Sequence, residues 1–396
     1  MARPSPDALW SPAEHEGLAG EPWSRGRARD TIAAICRDAE DAFDADRLWP
    51  AHPLDYDVSR DELKTVYLGA AGMAWALEHL TLTGLHEPAR DWPGVAGRLA
   101  AGAETLPPSL LVGCTGILLA AWLLDNPSPA IADLLAEAVA ANVGNETNEL
   151  LWGSPGTMFA AAAMLERTGE ERFAALWRKS AAQLLDMRDP DGCLTQELYG
   201  KTSRYFGAGH GFAGNAHALL QRPELLDDAA AFAASAARVV VDQAIGDGET
   251  ANWPPNAGGP LEVQPGAIRV QWCHGAPGIV TAFATGEPAN NELTRTLVAG
   301  GELTWRAGPL RKGAGLCHGT AGNALAFLAL QHRTGDELWL ERARAFAMHA
   351  AAQVERSRAS HGRGRYTLWT GDLGVAILIQ RCLDGGWRGF PTLDAW

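Results

Sequence analysis

Apolar residues along the chain fall into segments of helical length, and each segment is opened by two glycines three residues apart. Gly-x-x-Gly followed by an apolar run of helical length occurs seven times, at Gly69/Gly72, Gly113/Gly116, Gly153/Gly156, Gly211/Gly214, Gly275/Gly278, Gly319/Gly322 and Gly371/Gly374. One such pair means little in a chain with 44 glycines. Seven pairs, each opening an apolar segment, indicate an internal repeat.

Each repeat is predicted to hold a glycine turn, an inner helix and an outer helix. Paired glycines allow positive φ in a tight turn and a close approach of neighbouring backbones. The inner segments are apolar nearly all round, as helices packed on both sides must be. Thr168-x-x-Glu171 and Thr334-x-x-Glu337 are typical of capping boxes that open outer helices. The run AIRVQW at 267–272 is the best strand candidate.

The repeats predict an all-α fold of helical hairpins in a single domain over residues 1–396, with 1–50 as an amino-terminal helical cap or an outer helix. Such hairpins stack either as an open solenoid or as a closed double ring of helices. The last repeat is still apolar, with no polar capping surface, which favours closure. All glycine turns would then lie on one face, and residues beside them would share a site.

The charge balance narrows the choice of partners. Lys and Arg number 33 against 47 Asp and Glu, a net charge of −14, and no basic tract is present, so nucleic acid and anionic membranes are poor candidates. The longest apolar stretch, 110–124, is shorter than the roughly 20 residues that span a bilayer. The first residues lack the apolar core of a signal peptide, so we expect a cytoplasmic protein without a membrane span.

Two identical Cys-His pairs precede neighbouring glycine turns. Cys273 and His274 stand directly before Gly275, and Cys317 and His318 stand directly before Gly319. The repeat thus predicts two thiols and two imidazoles on one rim. Zinc takes such ligands, and a catalytic zinc keeps three of them with a fourth position open. The remaining cysteines are interpreted as small buried hydrophobes: Cys36, Cys114, Cys193 and Cys382.

Four further residues near the turns are candidates for chemistry. His210 occupies the rim position equivalent to His274 and is predicted to act as a general acid or base. Glu149 could orient an imidazole or serve the proton transfers. Arg269 and Lys312 lie four and five residues before the two rim cysteines, where a cation could hold a carboxylate or stabilise an enolate.

The motifs WCHGAPG, GLCHGTAGNA and GHGFAGN resemble the lanthionine synthetase C-like (LanC-like) family, and the similarity runs essentially from the first glycine turn to the terminal FPTLDAW. The resemblance implies a seven-fold α/α toroid. It also implies a zinc ion bound by Cys273, Cys317 and His318, with His210 as the acid/base histidine. Arg269 matches an arginine near the zinc site of the family.

Two positions depart from the bacterial lantibiotic cyclases, which commonly have Tyr at the place of His274 and Asp at the place of Glu149. Both residues, like the motifs NELLWG, NWPPN and RKGAGLCHG, are similar to the eukaryotic LanC-like proteins. That branch implies addition of glutathione to dehydroalanine or dehydrobutyrine in a peptide or protein, rather than closure of peptide rings. No dehydratase segment precedes the repeats, so the dehydroamino acid is expected to be made elsewhere.

The expected reaction is a zinc-dependent Michaelis-type addition that forms a thioether. The substrate thiol loses its proton at zinc and its sulfur attacks the β-carbon of the dehydroamino acid. Arg269 would stabilise the enolate, His210 or, as second choice, His274 would protonate the α-carbon, and Lys312 would hold a glutathione carboxylate.

Three alternatives stay open. One is a zinc-dependent protein that binds glutathione or a peptide cysteine without turnover, and another is a lanthionine-forming peptide cyclase. The third, a carbohydrate-active toroid, would need paired carboxylates on the rim, where only Glu149 and Asp372 lie near the turns.

Overall fold

A computed structural model of the protein describes residues 9–19, 21–55, 59, 62–125, 127–258, 268–284 and 291–396. The described residues form fourteen α-helices: α1 (Arg25–Asp41), α2 (Ala70–Leu82), α3 (Trp92–Leu99), α4 (Cys114–Leu124), α5 (Pro129–Asn142), α6 (Ser154–Thr168), α7 (Glu171–Asp186), α8 (Phe212–Leu220), α9 (Ala229–Asp242), α10 (Ala276–Ala282), α11 (Asn291–Ala307), α12 (Thr320–Thr334), α13 (Leu338–His361) and α14 (Asp372–Asp384). Short 3₁₀ turns lie at Pro12–Glu14, Glu62–Lys64, Ala103–Thr105 and Pro223–Leu225.

The even-numbered helices form the inner layer and the odd-numbered helices the outer layer. Each even-numbered helix contacts the next one, and α14 returns to contact α2, so the inner layer closes on itself. The inner helices are buried over nearly their whole length, whereas outer helices such as α7 bury one stripe. The predicted all-α fold and its closure into a ring are therefore confirmed.

The glycine pairs define where the inner helices begin. Each even-numbered helix starts directly after the first glycine of a pair. The second glycine lies in the first helical turn, and a Cβ atom there would come within 1.8–2.4 Å of the carbonyl oxygen six residues earlier, in all seven repeats. The predicted close backbone approach is thus the reason for the second glycine.

The prediction of positive φ is wrong for the first glycine of six repeats, whose backbone is extended. Gly275 alone among these seven has a positive φ, of 107°. The turn reverses the chain through extended backbone, which any residue can adopt. What excludes side chains at the first glycines is contact with preceding backbone, as at Gly113, where a Cβ would lie 1.9 Å from the Pro107 carbonyl oxygen.

The two predicted capping boxes are also wrong. Thr168 and Thr334 are the last residues of α6 and α12, and each hydroxyl donates to a carbonyl four residues earlier, at 2.7 Å. Each hydroxyl also accepts the N–H two residues later, of Glu170 at 3.1 Å in one case and of Asp336 at 3.2 Å in the other. These threonines therefore join the end of an inner helix to the start of an outer one.

Two small antiparallel sheets interrupt the helices. β1 (Gln196–Leu198) pairs with β2 (Lys201–Ser203), and β3 (Ile245–Gly246) pairs with β4 (Ala251–Asn252). The strand expected at 267–272 is wrong over the described residues 268–272, where Gln271 makes only an isolated bridge to His274, while Ala267 lies outside the described residues. That segment instead turns tightly into α10.

Two terminal segments pack against the ring. Helix α1 packs on α14, and residues 9–19 run beside α11, where Glu16 N–H donates to the Pro309 carbonyl at 2.9 Å. Residues 1–8 of the predicted cap lie outside the described residues, and the division into a single domain with a cap stays a prediction. Phe390 packs on Trp272 and Trp369, with ring centroids 4.7 and 5.2 Å apart, directly beneath the rim.

None of the helices in the described part of the chain has the length and apolar character that crossing a bilayer requires.

Candidate active site

Three of the predicted metal ligands meet on the rim. The Sγ atoms of Cys273 and Cys317 and a ring nitrogen of His318 all lie within 4.8 Å of one another. The two cysteines come from the turns that open α10 and α12, and the Cys273 N–H donates to the Cys317 carbonyl at 3.1 Å, which fixes one turn against the other. Two sulfurs and one imidazole nitrogen are donors that zinc prefers, with a fourth position left over. The group therefore fits a zinc ion.

The two buried thiols share their electrostatic environment. A hydrogen bond with Cys317, against the effect of burial and with help from His318, holds the pKa of Cys273 well below its usual value. The same hydrogen bond, together with burial and the charge on Cys273, holds the pKa of Cys317 well above its usual value. A bound dication would stabilise negative charge on both sulfurs.

Two residues that the sequence did not single out contact these sulfurs. Gln271 Nε2 donates to Cys273 Sγ at 3.0 Å. The Tyr67 hydroxyl is hydrogen bonded to Cys317 and lowers the pKa of that thiol, although burial and the charge on Cys273 outweigh it. Tyr67 lies just before the first glycine turn, on the opposite end of the chain from Cys317, so only ring closure brings the two together.

His210 is held by a buried carboxylate. Its Nδ1 lies 2.8 Å from Glu149 Oε2, and Glu149 is fully buried. The carboxylate also accepts the N–H groups of Leu151 and Trp152. Because an ionised carboxylate only accepts, the His210 Nδ1 carries the proton and Nε2 is left for chemistry.

The environment of His210 favours its charged form. Burial lowers the pKa of this imidazole, but the hydrogen bond and charge of Glu149 and the charge of Cys273 outweigh burial and raise the pKa above its usual value. The other groups that face the ring are His274 at 5.6 Å, Tyr199 at 5.8 Å and Tyr205 at 6.2 Å between ring centroids.

His274 lies beside His210 and outside the group formed by Cys273, Cys317 and His318. Burial is the largest effect on this imidazole and lowers its pKa. The charge of Cys273 opposes it, while the positive charges of His210, Arg269 and Lys312 lower the pKa further. Its buried Nδ1 has no hydrogen-bond partner among the described residues. Tyr205, another residue missed by sequence reasoning, packs its ring on both imidazoles, 5.8 Å from that of His274.

Arg269 and Lys312 lie on two separate clefts beside the metal group. Arg269 is exposed and, with His274, Tyr205 and Trp253, lines a cleft of about 300 Å³. Lys312 is exposed on a cleft of about 350 Å³ that also holds Arg311, Arg356 and Arg365.

In the Lys312 cleft two of the arginines have acidic partners. Arg356 donates to Glu16 at 2.8 Å, and the Arg365 guanidinium donates to Asp55 through Nε at 3.0 Å. The eight residues singled out from the sequence thus lie in the metal group, in the His210–Glu149 pair or on these two clefts.

A family model described as "Lanthionine synthetase C-like protein" matches residues 129–394. The chain belongs to this family. Among its LanC-like relatives, the protein is 29% identical over 243 residues to "LanC-like protein GCL1" of Arabidopsis thaliana, covering 58% of this chain and 54% of the relative. It is 28% identical over 228 residues to "Glutathione S-transferase LANCL1" of Danio rerio, covering 54% of each.

The chain spans about half the length of these two curated relatives, 54% in both cases. Its fold is also similar to the solved structure of nisin cyclase, with a TM-score of 0.59 and 15% identity over 92% of this chain and 100% of that one. At this identity the likeness shows the LanC-like α/α toroid fold alone. The resemblance drawn from the rim motifs is therefore confirmed.

Proposed function

We propose that this LanC-like protein adds a thiol, glutathione or a peptide cysteine, to dehydroalanine or dehydrobutyrine and forms a thioether. One observation carries the proposal. The group of Cys273, Cys317 and His318 shares a rim with a separate histidine, His210, which is held by Glu149. Thiol addition needs both parts, because the sulfur must lose a proton and the α-carbon must gain one. The similarity to a relative named as a glutathione S-transferase supports this chemistry.

Cys273, Cys317 and His318 would hold zinc. When bound, zinc would lower the pKa of a substrate thiol and keep its sulfur nucleophilic at neutral pH. Lys312 binds a carboxylate of glutathione in its cleft, where the exposed Arg311 adds a second cation and Arg356 and Arg365 are paired with Glu16 and Asp55.

The addition then proceeds at the dehydroamino acid. The sulfur forms a bond to the β-carbon, and the π electrons of the C=C bond move through the α-carbon to the carbonyl oxygen. Arg269 stabilises the resulting enolate from the cleft that it shares with His274. His210 donates the proton from Nε2 to the α-carbon, while Glu149 holds Nδ1 and stabilises the charged imidazole before transfer.

The proton that the thiol releases returns to His210 through solvent, so the net reaction adds S–H across C=C. All six cysteines are free, as in a reducing compartment, and this supports a cytoplasmic reaction.

Mass spectrometry of a dehydroalanine-containing peptide with glutathione and zinc-loaded protein tests the proposal. We expect a mass gain of one glutathione, lost in Cys317→Ala and in His210→Ala. Cys36→Ala and His332→Ala, which change a buried cysteine in α1 and an exposed histidine in α12, serve as controls and are expected to keep the activity.

The same assay separates the alternatives. A protein that only binds thiols would bind zinc and glutathione but give no adduct with any dehydroamino acid. A peptide cyclase would instead act on a peptide carrying both cysteine and dehydroalanine, which would lose its alkylatable thiol with no change in mass. Absence of bound zinc in the wild-type protein would overturn the proposed metal group.

A further inference from the structure

The β1–β2 hairpin ends beside the acid/base histidine. Its two-residue turn consists of Tyr199 and Gly200, both with positive φ, of 54° and 70°. The Tyr199 ring stands edge-on to the His210 ring, with centroids 5.8 Å apart. The residue is nevertheless 64% exposed, so the hairpin presents an aromatic side chain to solvent at the lip of the site.

Tyrosine is a poor residue for this turn. Two-residue hairpins of this kind favour Asn, Asp or Gly at the first turn position, because a bulky side chain is disfavoured at positive φ. The exposed ring gains little from packing in return. Backbone strain of this sort clusters at sites where the side chain is needed for function, which makes Tyr199 a candidate for binding.

The Tyr199 ring continues a wall of rings that leads into the Arg269 cleft. His210 lies next to Tyr199, His274 lies 5.6 Å beyond it, and Tyr205 contacts both imidazoles and lines the cleft. The phenol faces the site as well. Burial and the charges of Glu149 and Cys317 raise the pKa of Tyr199, against a lowering by Trp152.

We propose that Tyr199 binds the acceptor as an extended peptide, by packing against a side chain two positions away from the dehydroamino acid. This inference rests on the proposed thiol addition, which requires the α-carbon of the acceptor to lie beside His210. An extended chain advances about 3.3 Å per residue, so a side chain two positions away lies about 6.6 Å further along the same face. That spacing matches the 5.8 Å between the rings of His210 and Tyr199.

The substrate class that follows is a dehydroamino acid within a peptide or an unfolded protein segment, with an aromatic or aliphatic residue two positions away. A free dehydroamino acid would reach His210 and Arg269 but would leave Tyr199 unused. The cleft and the hairpin thus favour a dehydroamino acid within a peptide over a free dehydroamino acid.

Tyr199→Asn tests this inference, because Asn suits the left-handed turn and keeps the hairpin intact. Two acceptors are compared: a dehydroalanine pentapeptide with phenylalanine two positions away, and N-acetyl-dehydroalanine amide. We expect the variant to lower the ratio of kcat/KM for the peptide to kcat/KM for the amide by about three- to tenfold, as for the loss of one aromatic contact. Tyr199→Phe should keep most of the ratio. Leu82→Asn, which removes another exposed apolar side chain at the end of α2, should not change it.

A binding measurement keeps the two proposals distinguishable. Fluorescence anisotropy would report the affinity of the full-length protein for the same pentapeptide with alanine in place of dehydroalanine, which cannot react. Weaker binding by Tyr199→Asn supports the inference even if no thiol addition occurs and the proposed function fails. Equal binding by Tyr199→Asn and wild type, or an equal loss of activity on the peptide and the small acceptor, would overturn it.

Discussion

The carboxylate of Glu149 controls both the position and the charge of His210. It lies 2.8 Å from Nδ1 of His210, and it is itself fully buried and held in place by two backbone N–H donors. His210 in turn has a pKa above its usual value, despite burial, chiefly because of Glu149. A histidine that must donate a proton at neutral pH benefits from this arrangement.

We expect Glu149→Gln to shift the pH dependence of the reaction. If protonated His210 is the acid, the rate falls as pH rises through the His210 pKa. Because Glu149 raises that pKa, its replacement by a neutral amide lowers the pKa, and the alkaline limb of the kcat profile moves to lower pH. Single-turnover rates across pH would show the shift.

Glu146 is exposed and lies three residues away, so Glu146→Gln is the matched control. This variant should leave the pH profile of kcat unchanged. An unshifted profile for Glu149→Gln with a uniformly lower rate would mean that Glu149 only positions the ring.

The metal group could be predicted from the sequence because its cysteines occupy equivalent places in neighbouring repeats, which chance packing does not require. Gln271 and Tyr205 could not, since each occurs without a counterpart in the other motifs. Tyr67 stands two residues before its glycine turn, as Cys273 and Cys317 do, but a tyrosine there does not by itself indicate a contact with a sulfur. Their contacts with Cys317, Cys273 and the two imidazoles depend on how the turns are arranged around the ring.

At the scale of the helices, the second glycine of each pair fixes the inner helix to the chain that precedes it. The contact recurs with the carbonyl oxygen six residues earlier in every repeat, so it is a property of the turn and not of the site. Close approach was predictable from paired glycines, whereas the φ values were not, because glycine is compatible with both extended and left-handed backbone. The capping boxes failed for a similar reason: a threonine near a helix boundary can end one helix as readily as it opens the next.

Gly116→Ala is expected to destabilise the protein by about 1–3 kcal/mol or more, as overpacking does. The added Cβ would lie 2.1 Å from the Leu110 carbonyl oxygen and 2.6 Å from a Val66 methyl group, and the backbone oxygen cannot move freely. Gly26→Ala in the exposed first turn of α1, where the nearest atom to the new Cβ is 3.8 Å away, should be neutral or stabilising. Thermal unfolding of both variants against wild type would measure the difference, and equal stability would contradict the role given to the second glycine.

At the scale of the whole molecule, closure of the inner ring places residues from distant parts of the sequence on one rim. Tyr67 precedes α2 and contacts Cys317, which precedes α12, and the contact between α14 and α2 completes the circuit. The sequence could predict the ring, since the glycine turns repeat along the chain and the last repeat is still apolar. It could not predict the hairpin of β1 and β2 or the cleft beside Arg269, because these lie in connections that differ from repeat to repeat.

The inner helices α6, α8, α10 and α12 all begin at turns that carry site residues, so their amino-terminal ends point at the same rim. Each such end carries roughly half a positive charge, and Arg269 and Lys312 add to it. The helix ends and the two cations therefore contribute positive potential on the rim of a molecule whose net charge is −14.

This potential would draw in glutathione, an anion, against the repulsion of the molecule as a whole. We expect kcat/KM for glutathione to fall with added salt while that for a neutral thiol such as 2-mercaptoethanol stays flat, because dissolved ions screen the attraction. If kcat/KM for glutathione rises with added salt instead, the overall negative charge of the protein governs the approach of glutathione. The helix ends would then affect only the bound substrate.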